Sequence, residues 1–369
     1  MTVSTPAGRR VSAVGGRSSP RGFRILFPYM YFSSFITEDL EALQAQHDVR
    51  LVSCRPLWRT AGAALACFGT DCVFCWFGSL RFLPICLMAR LLGKRVVIIT
   101  GGYDVAAVPE IQYGNMRPGL TRALGRLLFK LTDLAVCVSR SNVREATENA
   151  GIPPARQRLV YHGFDGRRIG ASSDIASKER LVLTVAGINA STIHRKGLLT
   201  VATVSRLMPD VPFVIAGSIE PEAGARVAAA GGPNLTLTGY LSDDELADLY
   251  RKAKVYFQPS VHEAFGCSVA EAMLHNCTPV VTARYSLPEV VGECGYYVDI
   301  GDFPGMADAL RRALEGPPPG PESPRERIVR EFPISTRRES LRRLLQELGM
   351  TDPGAGWRDQ ADVAGQGSR

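Results

Sequence analysis

The sequence predicts an α/β protein with two doubly wound, Rossmann-like domains that face each other across a cleft. Short runs of β-branched and other apolar residues recur roughly every 20 to 30 residues, and longer segments of helical period separate them. Such alternation is typical of a parallel sheet with helices on both faces. It stops in the polar segment 163–178 and then resumes, which indicates two sheets. The length of 369 residues also suits two domains.

Each half of the chain contributes five predicted strands. Those of the first half are 23–27, 49–53, 72–77, 95–100 and 134–138. Those of the second half are 181–186, 213–216, 235–238, 255–258 and 279–282. In such sheets, ligands bind outside the carboxyl ends of the strands. We therefore expect a ligand in the cleft between the two domains.

The two predicted domains are flanked by polar ends. Both ends are rich in glycine and polar residues without periodicity, which predicts disorder. A helix follows the breaking segment GPPPGPE and is expected to pack back toward the N-terminal domain. We predict a disordered tail at 1–20, an N-terminal domain at 21–165, a linker at 166–180 and a C-terminal domain at 181–330. The helix occupies 331–350, and a second disordered tail follows at 351–369.

The net charge of +7 is compatible with nucleic acid, an anionic membrane or a phosphorylated ligand. No recognisable nucleic-acid module accompanies it, so no nucleic-acid partner is predicted. Nine cysteines are scattered mostly through apolar runs, as in proteins of reducing compartments. The first apolar run is too short for a signal peptide, and Arg81 and Arg90 interrupt the longest one. We therefore expect a cytoplasmic protein.

The densest chemical signal is a strand, a glycine turn and a helix in the C-terminal half. Gly266 permits the tight turn, and the free N–H groups of the following helix suit a diphosphate. Glu263 lies before the turn and Glu271 lies within the helix. The two carboxylates can therefore contact one ligand at different depths.

The stretch from Glu263 to Met273 resembles the two-glutamate signature of family-4 retaining glycosyltransferases, which have the GT-B fold. Further motifs occur in the order of that family. They are Ala186-Gly187, Arg195-Lys196-Gly197, FVIAG at 213–217, Gly239-Tyr240, SLPE at 286–289 and YHGFD at 161–165. The resemblance covers about residues 23 to 345 and implies a nucleotide-sugar donor in the C-terminal domain and an acceptor in the N-terminal domain.

The resemblance also implies residue roles. Glu271 accepts hydrogen bonds from the ribose, Glu263 contacts the transferred sugar, and the backbone after it holds the diphosphate. Lys196 neutralises charge on the leaving group, so neither a metal nor a cofactor is expected. The donor-binding set is Arg195, Lys196, Gly217, Glu263, Phe265, Gly266, Cys267, Ser268 and Glu271. The catalytic set is Glu263, Lys196 and Asp104.

The chain departs from the family pattern in two places. The family usually has an arginine just after the glycine of the first C-domain strand, where this chain has Ile188 after Gly187. Either Arg195 substitutes for it or the diphosphate is held less tightly. In the N-terminal domain, His-Gly-x-Asp is replaced by GGYD at 101–104. Gly101, Gly102 and Tyr103 are expected to line the acceptor pocket, and Asp104 to point into the cleft.

Each of these residues has a simpler interpretation. Ser268 and Glu271 have the spacing of a capping box. Glu263 could be a solvated loop residue, and Lys196 a solvated residue just before a helix. Asp104 could be a helix N-cap.

The acceptor is expected to be a saccharide, a lipid-linked molecule or a small natural product. The segment 120–132 predicts an amphipathic helix with basic residues on one face, which could contact an anionic membrane or only solvent. The alternatives to a glycosyltransferase are an epimerase or phosphorylase of the same fold, or a non-catalytic protein that binds nucleotide sugars. The absence of a glycine-rich loop after the first strand argues against a nicotinamide enzyme.

Overall fold

The computed structural model describes residues 2–4, 10–12, 23–55, 57–166 and 175–349. Within the tail predicted to be disordered, β1 (Thr2–Ser4) pairs antiparallel with β2 (Arg10–Ser12). The rest of that tail, most of the predicted linker and the predicted C-terminal tail lie outside the described residues. Their disorder stays a prediction.

The N-terminal domain contains a six-stranded sheet in which all neighbouring strands are parallel, in the order β4-β3-β5-β6-β7-β8. Five of these strands match the predicted ones, and the sixth is a three-residue edge strand too short to stand out in the sequence. The strands are β3 (Arg24–Tyr29), β4 (Asp48–Ser53), β5 (Cys72–Trp76), β6 (Arg95–Thr100), β7 (Leu134–Cys137) and β8 (Gln157–Leu159).

Five helices cover the two faces of this sheet. They are α1 (Ser34–Gln44), α2 (Leu57–Leu65), α3 (Leu83–Leu91), α4 (Leu120–Lys130) and α5 (Arg140–Glu148). Because successive side chains of a strand point to opposite faces, Ile25 and Phe27 share a core with α1, whereas Leu26 shares one with α2, α3 and α4.

The C-terminal domain repeats this plan with a parallel sheet in the order β11-β10-β9-β12-β13-β14. Its strands are β9 (Glu179–Val185), β10 (Phe213–Ala216), β11 (Leu235–Leu237), β12 (Ala253–Gln258), β13 (Thr278–Thr282) and β14 (Tyr296–Val298). Its helices are α6 (Thr192–Arg195), α7 (Leu198–Leu207), α8 (Pro221–Ala230), α9 (Asp243–Lys252), α10 (Cys267–Leu274), α11 (Leu287–Val291) and α12 (Phe303–Glu315).

Two final helices, α13 (Pro324–Glu331) and α14 (Ile334–Glu347), follow the C-terminal domain. Leu341 and Leu344 of α14 join the core that contains Ile36 of α1. Arg337 forms a bidentate ion pair with Asp39 of α1, with the shorter N–O distance at 2.6 Å. The chain therefore returns to the N-terminal domain through α14. Among the described helices, none has the length and apolar character needed to span a bilayer.

Candidate active site

A cleft of about 830 Å³ lies between the two domains, at the carboxyl ends of their strands. This is the place that the doubly wound topology predicts for a ligand. Side chains of both domains line it. From the N-terminal domain these include Tyr31, Trp76, Phe77, Tyr103, Asp104 and Tyr113, and from the C-terminal domain Thr192, Arg195, Lys196, Glu263, Ser268 and Glu271.

Glu263 lies in the loop between β12 and α10 and is buried. Its Oε1 atom accepts hydrogen bonds from Gln258 Nε2 at 3.1 Å and Ser260 Oγ at 2.9 Å. The ammonium of Lys196 lies 2.7 Å from the same oxygen, and the guanidinium of Arg195 lies 3.5 Å away. The solvated-loop interpretation of Glu263 is therefore wrong, and so is that of Lys196 as a solvated residue.

These charges decide the ionisation of Glu263. Burial alone raises the pKa of a carboxyl, because it penalises the charged form. The nearby Lys196 ammonium and Arg195 guanidinium outweigh burial and hold the pKa of Glu263 below its ordinary value. The site therefore contains one carboxylate and two cations within a single group of contacts.

Local backbone geometry places the two cations. Arg195 ends α6, and Gly197 follows Lys196 with a left-handed φ of 66°. The backbone N–H of Val261 donates to the carbonyl of Arg195 at 2.8 Å, which ties this turn to the Glu263 loop. A Cβ at Gly197 would lie 2.2 Å from the carbonyl oxygen of Pro259. Only glycine lets the two loops approach this closely.

The helix α10 begins at a glycine. Gly266 has φ 99° and caps α10 without a side-chain hydrogen bond. Val269 and Ala270 donate to its carbonyl, whereas the N–H groups of residues 267 and 268 have no backbone acceptor within the described chain. Ser268 Oγ donates to Gln258 Oε1 at 2.9 Å, so the predicted capping box with Glu271 does not form. The free N–H groups and the helix dipole favour an anion here.

Glu271 is a half-buried carboxyl of the cleft. The Tyr250 hydroxyl donates to its Oε2 atom at 3.3 Å. Burial raises the pKa of Glu271 from 4.5 to about 7, and the hydrogen bond from Tyr250 only partly opposes this. Glu271 also borders an adjoining cavity of about 370 Å³. Its role in donor binding stays a prediction.

This raised pKa predicts a pH-dependent stability. Between pH 4.5 and about 7 the folded state holds a proton on Glu271 that the unfolded state releases, so stability should fall as pH rises through that range. The loss should be on the order of 3 kcal/mol at most. Urea unfolding at pH 5 and pH 7.5 would measure it. Glu271→Gln should remove this part of the pH dependence, and an unchanged pH dependence in that variant would contradict the assignment.

Asp104 organises the wall of the N-terminal domain. Its carboxylate accepts hydrogen bonds from the backbone N–H groups of Gly78 at 2.7 Å, Gly101 at 3.1 Å and Gly102 at 2.9 Å. Burial raises the pKa of Asp104, although these hydrogen bonds oppose the shift. No helix begins at this turn, so the N-cap interpretation is wrong. Asp104 does line the cleft, as predicted.

The predicted residues do not all reach the cleft. Gly101, Tyr103 and the segment 265–268 line it, whereas Gly102 and Gly217 do not. A Cβ at Gly217 would lie 2.3 Å from the carbonyl oxygen of Ala186, so Gly217 allows β9 and β10 to end close together. A Cβ at Gly102 would lie 2.8 Å from the Cβ of Ala264.

His162 was missed as a site residue, although it belongs to the YHGFD motif. It is buried, and its ring centroid lies 5.0 Å from that of Phe35 and 5.1 Å from that of Phe265. Burial, with a contribution from the charge of Arg337, holds the pKa of His162 well below its ordinary value. His162 therefore presents a neutral imidazole to the cleft.

Two polar contacts between the domains were also missed. His262 Nε2 lies 2.8 Å from Glu145 Oε1 of α5. The carboxylate of Glu289 accepts hydrogen bonds from the N–H groups of Arg140 and Ser141 at the start of α5, at 2.8 and 3.0 Å. Both contacts join distant parts of the chain, which a sequence pattern does not reveal. Together they hold the C-terminal wall of the cleft against α5.

The comparisons with known proteins agree with this architecture. Residues 179–316 match the family described as glycosyl transferases group 1. Anabaena HepE, solved in complex with UDP and glucose, superposes with a TM-score of 0.69 over 88% of this chain and 100% of that one, at 14% identity. The fold is therefore GT-B, and the C-terminal domain is similar to glycosyl transferases group 1. A sucrose-phosphate synthase of Thermosynechococcus elongatus shares this GT-B fold, with a TM-score of 0.69 over 89% of this chain and 99% of that one, at 16% identity.

Two curated relatives of this GT-B chain are glycosyltransferases by name. An N-acetylgalactosamine-N,N'-diacetylbacillosaminyl-diphospho-undecaprenol 4-alpha-N-acetylgalactosaminyltransferase of Campylobacter jejuni is 26% identical over 63% of this chain. The serotype-specific mannosyltransferase WbdA of Escherichia coli is 31% identical over 51% of it. The matches span 64% and 24% of those two proteins. The predicted resemblance to GT-B glycosyltransferases is confirmed, while membership of family 4 stays a prediction.

Proposed function

We propose that the protein is a retaining glycosyltransferase that moves a sugar from a nucleotide-diphosphate sugar to an acceptor hydroxyl. The proposal rests on one arrangement of charged groups in the cleft. Lys196 and Arg195 contact Glu263 in the cleft, the N-terminus of α10 lines the same cleft, and Glu271 lies one helical turn beyond Cys267. This set supplies cations and N–H groups for a diphosphate and carboxylates for sugar hydroxyls.

The charges of the site suit the departure of a nucleoside diphosphate. In the transfer, the bond between the anomeric carbon and the phosphate oxygen breaks, and negative charge grows on that oxygen. The Lys196 ammonium and the free N–H groups at the start of α10 would stabilise that charge without having to reorganise. We propose that these groups make a metal unnecessary, so a chelator should leave the activity unchanged.

Retention of configuration is proposed from the resemblance to family-4 retaining glycosyltransferases, and the surroundings of Glu263 bear on how it is achieved. Four donors converge on its Oε1 atom, and its lowered pKa makes it a weak nucleophile. We therefore favour transfer on one face of the sugar. The acceptor oxygen bonds to the anomeric carbon as the phosphate leaves, and the acceptor proton passes to a phosphate oxygen. Positioning and electrostatics then carry the catalysis.

The substrates are proposed as classes. HepE is described as binding UDP, and the Campylobacter relative by name uses a diphospho-undecaprenol acceptor. A nucleotide-sugar donor with a glycan or lipid-linked acceptor is therefore the class we propose, with a small-molecule acceptor as the further option. The protein would then act at the cytoplasmic face of a membrane as a peripheral enzyme.

Nucleotide binding tests the donor site. Calorimetry with UDP, GDP and ADP should show micromolar binding of one nucleotide, and Glu271→Ala should weaken it by about 10- to 100-fold through loss of an ionic hydrogen bond. Glu222→Ala, an exposed site on α8 of the same domain, is the matched control and should bind like the wild type. Absence of binding for all three nucleotides would overturn the proposal. Release of nucleotide from the donor without any acceptor would argue for another reaction.

A further inference from the structure

One outer surface of the N-terminal domain is formed by α2, α3 and α4, and is called the α2–α4 face below. These helices share a core on the side of the sheet opposite α1. The helix α2 packs against α3. Arg90 of α3 pairs with Asp133, just beyond the end of α4, at 2.8 Å. The three helices therefore form one continuous surface.

This face exposes several large apolar side chains. Their exposed fractions range from 45% to 74%. They are Leu65 at the end of α2, Phe68 just after it, Leu87 and Leu91 on α3, and Leu120 and Leu127 on α4. Isolated exposed leucines are common on soluble proteins, but a group of this kind on adjoining helices marks an interaction surface.

The three helices of this face carry charge of one sign only. The sequences of α2, α3 and α4 contain no aspartate or glutamate, although the chain has 36 acidic residues. Within the described residues, Lys94, Arg122 and Lys130 take part in no ion pair. Uncompensated cations beside exposed leucines are the combination by which proteins bind the surface of anionic bilayers.

The position of the face relative to the cleft is also informative. Gly78, Leu80 and Arg81 line the cleft and lead directly into α3. One end of the α2–α4 face therefore adjoins the N-terminal wall of the cleft. The first turn of α3 therefore links this face to the side where the acceptor is proposed to bind.

We propose that the α2–α4 face docks the protein onto an anionic lipid bilayer, with its leucines in the interfacial region and its cations at the headgroups. The inference deepens the proposed function, on which its link to a lipid-linked acceptor rests. A second copy of this chain fits the face less well, because the cations of the two copies would face each other. The basic helix predicted at 120–132 is then one part of a three-helix surface.

Vesicle co-sedimentation tests the docking. The full-length protein should bind vesicles of phosphatidylglycerol and phosphatidylcholine, and should bind much less to vesicles of phosphatidylcholine alone. The double variant Leu87→Glu/Leu91→Glu should lower the affinity at least about tenfold, because two apolar side chains are lost from the interface. Leu207→Glu, a 44% exposed leucine on α7 of the C-terminal domain, is the matched control and should bind normally.

A second double variant tests the electrostatic contribution to vesicle binding. Lys94→Glu/Lys130→Glu should weaken binding to the anionic vesicles and reduce its dependence on salt. Equal binding to both vesicle types, or binding to neither, would overturn the proposal. The proposal would also be overturned if the wild type did not bind vesicles but formed a dimer in sedimentation velocity, and if Leu91→Glu converted that dimer to monomers.

The test separates this inference from the proposed function. Vesicle binding needs neither donor nor acceptor, and the Leu87→Glu/Leu91→Glu variant should bind nucleotide in calorimetry like the wild type. Loss of nucleotide binding in the wild type would remove the proposed function while leaving the docking measurable. Normal nucleotide binding without vesicle binding would remove only the docking.

Discussion

Replacing Lys196 with alanine is expected to lower kcat by about 10²- to 10³-fold, the typical cost of removing one preorganised group that stabilises transition-state charge. The ammonium lies 2.7 Å from Glu263 in a cleft that also receives the N-terminus of α10. Among the residues that the structure describes, no other lysine lines this cleft. Arg195 remains in the variant, so part of the positive charge and part of the activity should persist.

The measurement is steady-state turnover with the donor whose nucleotide binds most tightly. Lys252→Ala, at the exposed end of α9, is the control for general loss of positive charge and should retain full activity. Lys196→Arg keeps the positive charge, and its kcat should lie between those of Lys196→Ala and Lys252→Ala. A kcat of Lys196→Ala equal to the wild type would show that the leaving group is stabilised elsewhere.

Replacing Arg337 with alanine is expected to destabilise the protein by about 3–5 kcal/mol, because the variant leaves Asp39 buried without its partner. Both side chains are about 2% exposed. Arg337 also donates to the backbone carbonyls of Val160 and Tyr161, at 3.1 and 2.8 Å, and these acceptors would lose their donor as well.

Urea unfolding measures this effect. Arg343→Ala, on the same helix but exposed and paired only with Glu339, is the matched control and should change stability by less than about 1 kcal/mol. The double variant Asp39→Leu/Arg337→Met should recover most of the loss, because it removes both buried charges together. If Arg337→Ala were as stable as the control, the ion pair would not hold α14 in place.

A feature of this structure could be predicted from the sequence when the residues that form it lie close together along the chain. The Glu263 to Glu271 segment is local, and a strand, a glycine and a helix fix its geometry within a few residues. The sheet strands were visible for the same reason, since each buried run is continuous. The three-residue edge strands β8 and β14 were not predicted, whereas β11, an edge strand of the same length, was.

The missed contacts all join residues that are far apart in the chain. Glu145 meets His262 across 117 positions, and Asp39 meets Arg337 across 298. Their geometry depends on how the two domains close, which no local spacing encodes. The capping box failed for a related reason, because Gln258 on the preceding strand offers Ser268 Oγ an acceptor.

The return of α14 to the N-terminal domain affects the order in which the chain can fold during synthesis. Leu341, Leu344 and Leu345 fill the core beneath Ile36 and Leu40, which are translated some three hundred residues earlier. The domain made first is therefore completed late, because its α1 side stays uncovered until α14 has left the ribosome. The C-terminal domain carries its own strands in one uninterrupted segment and can reach its final structure before the N-terminal one.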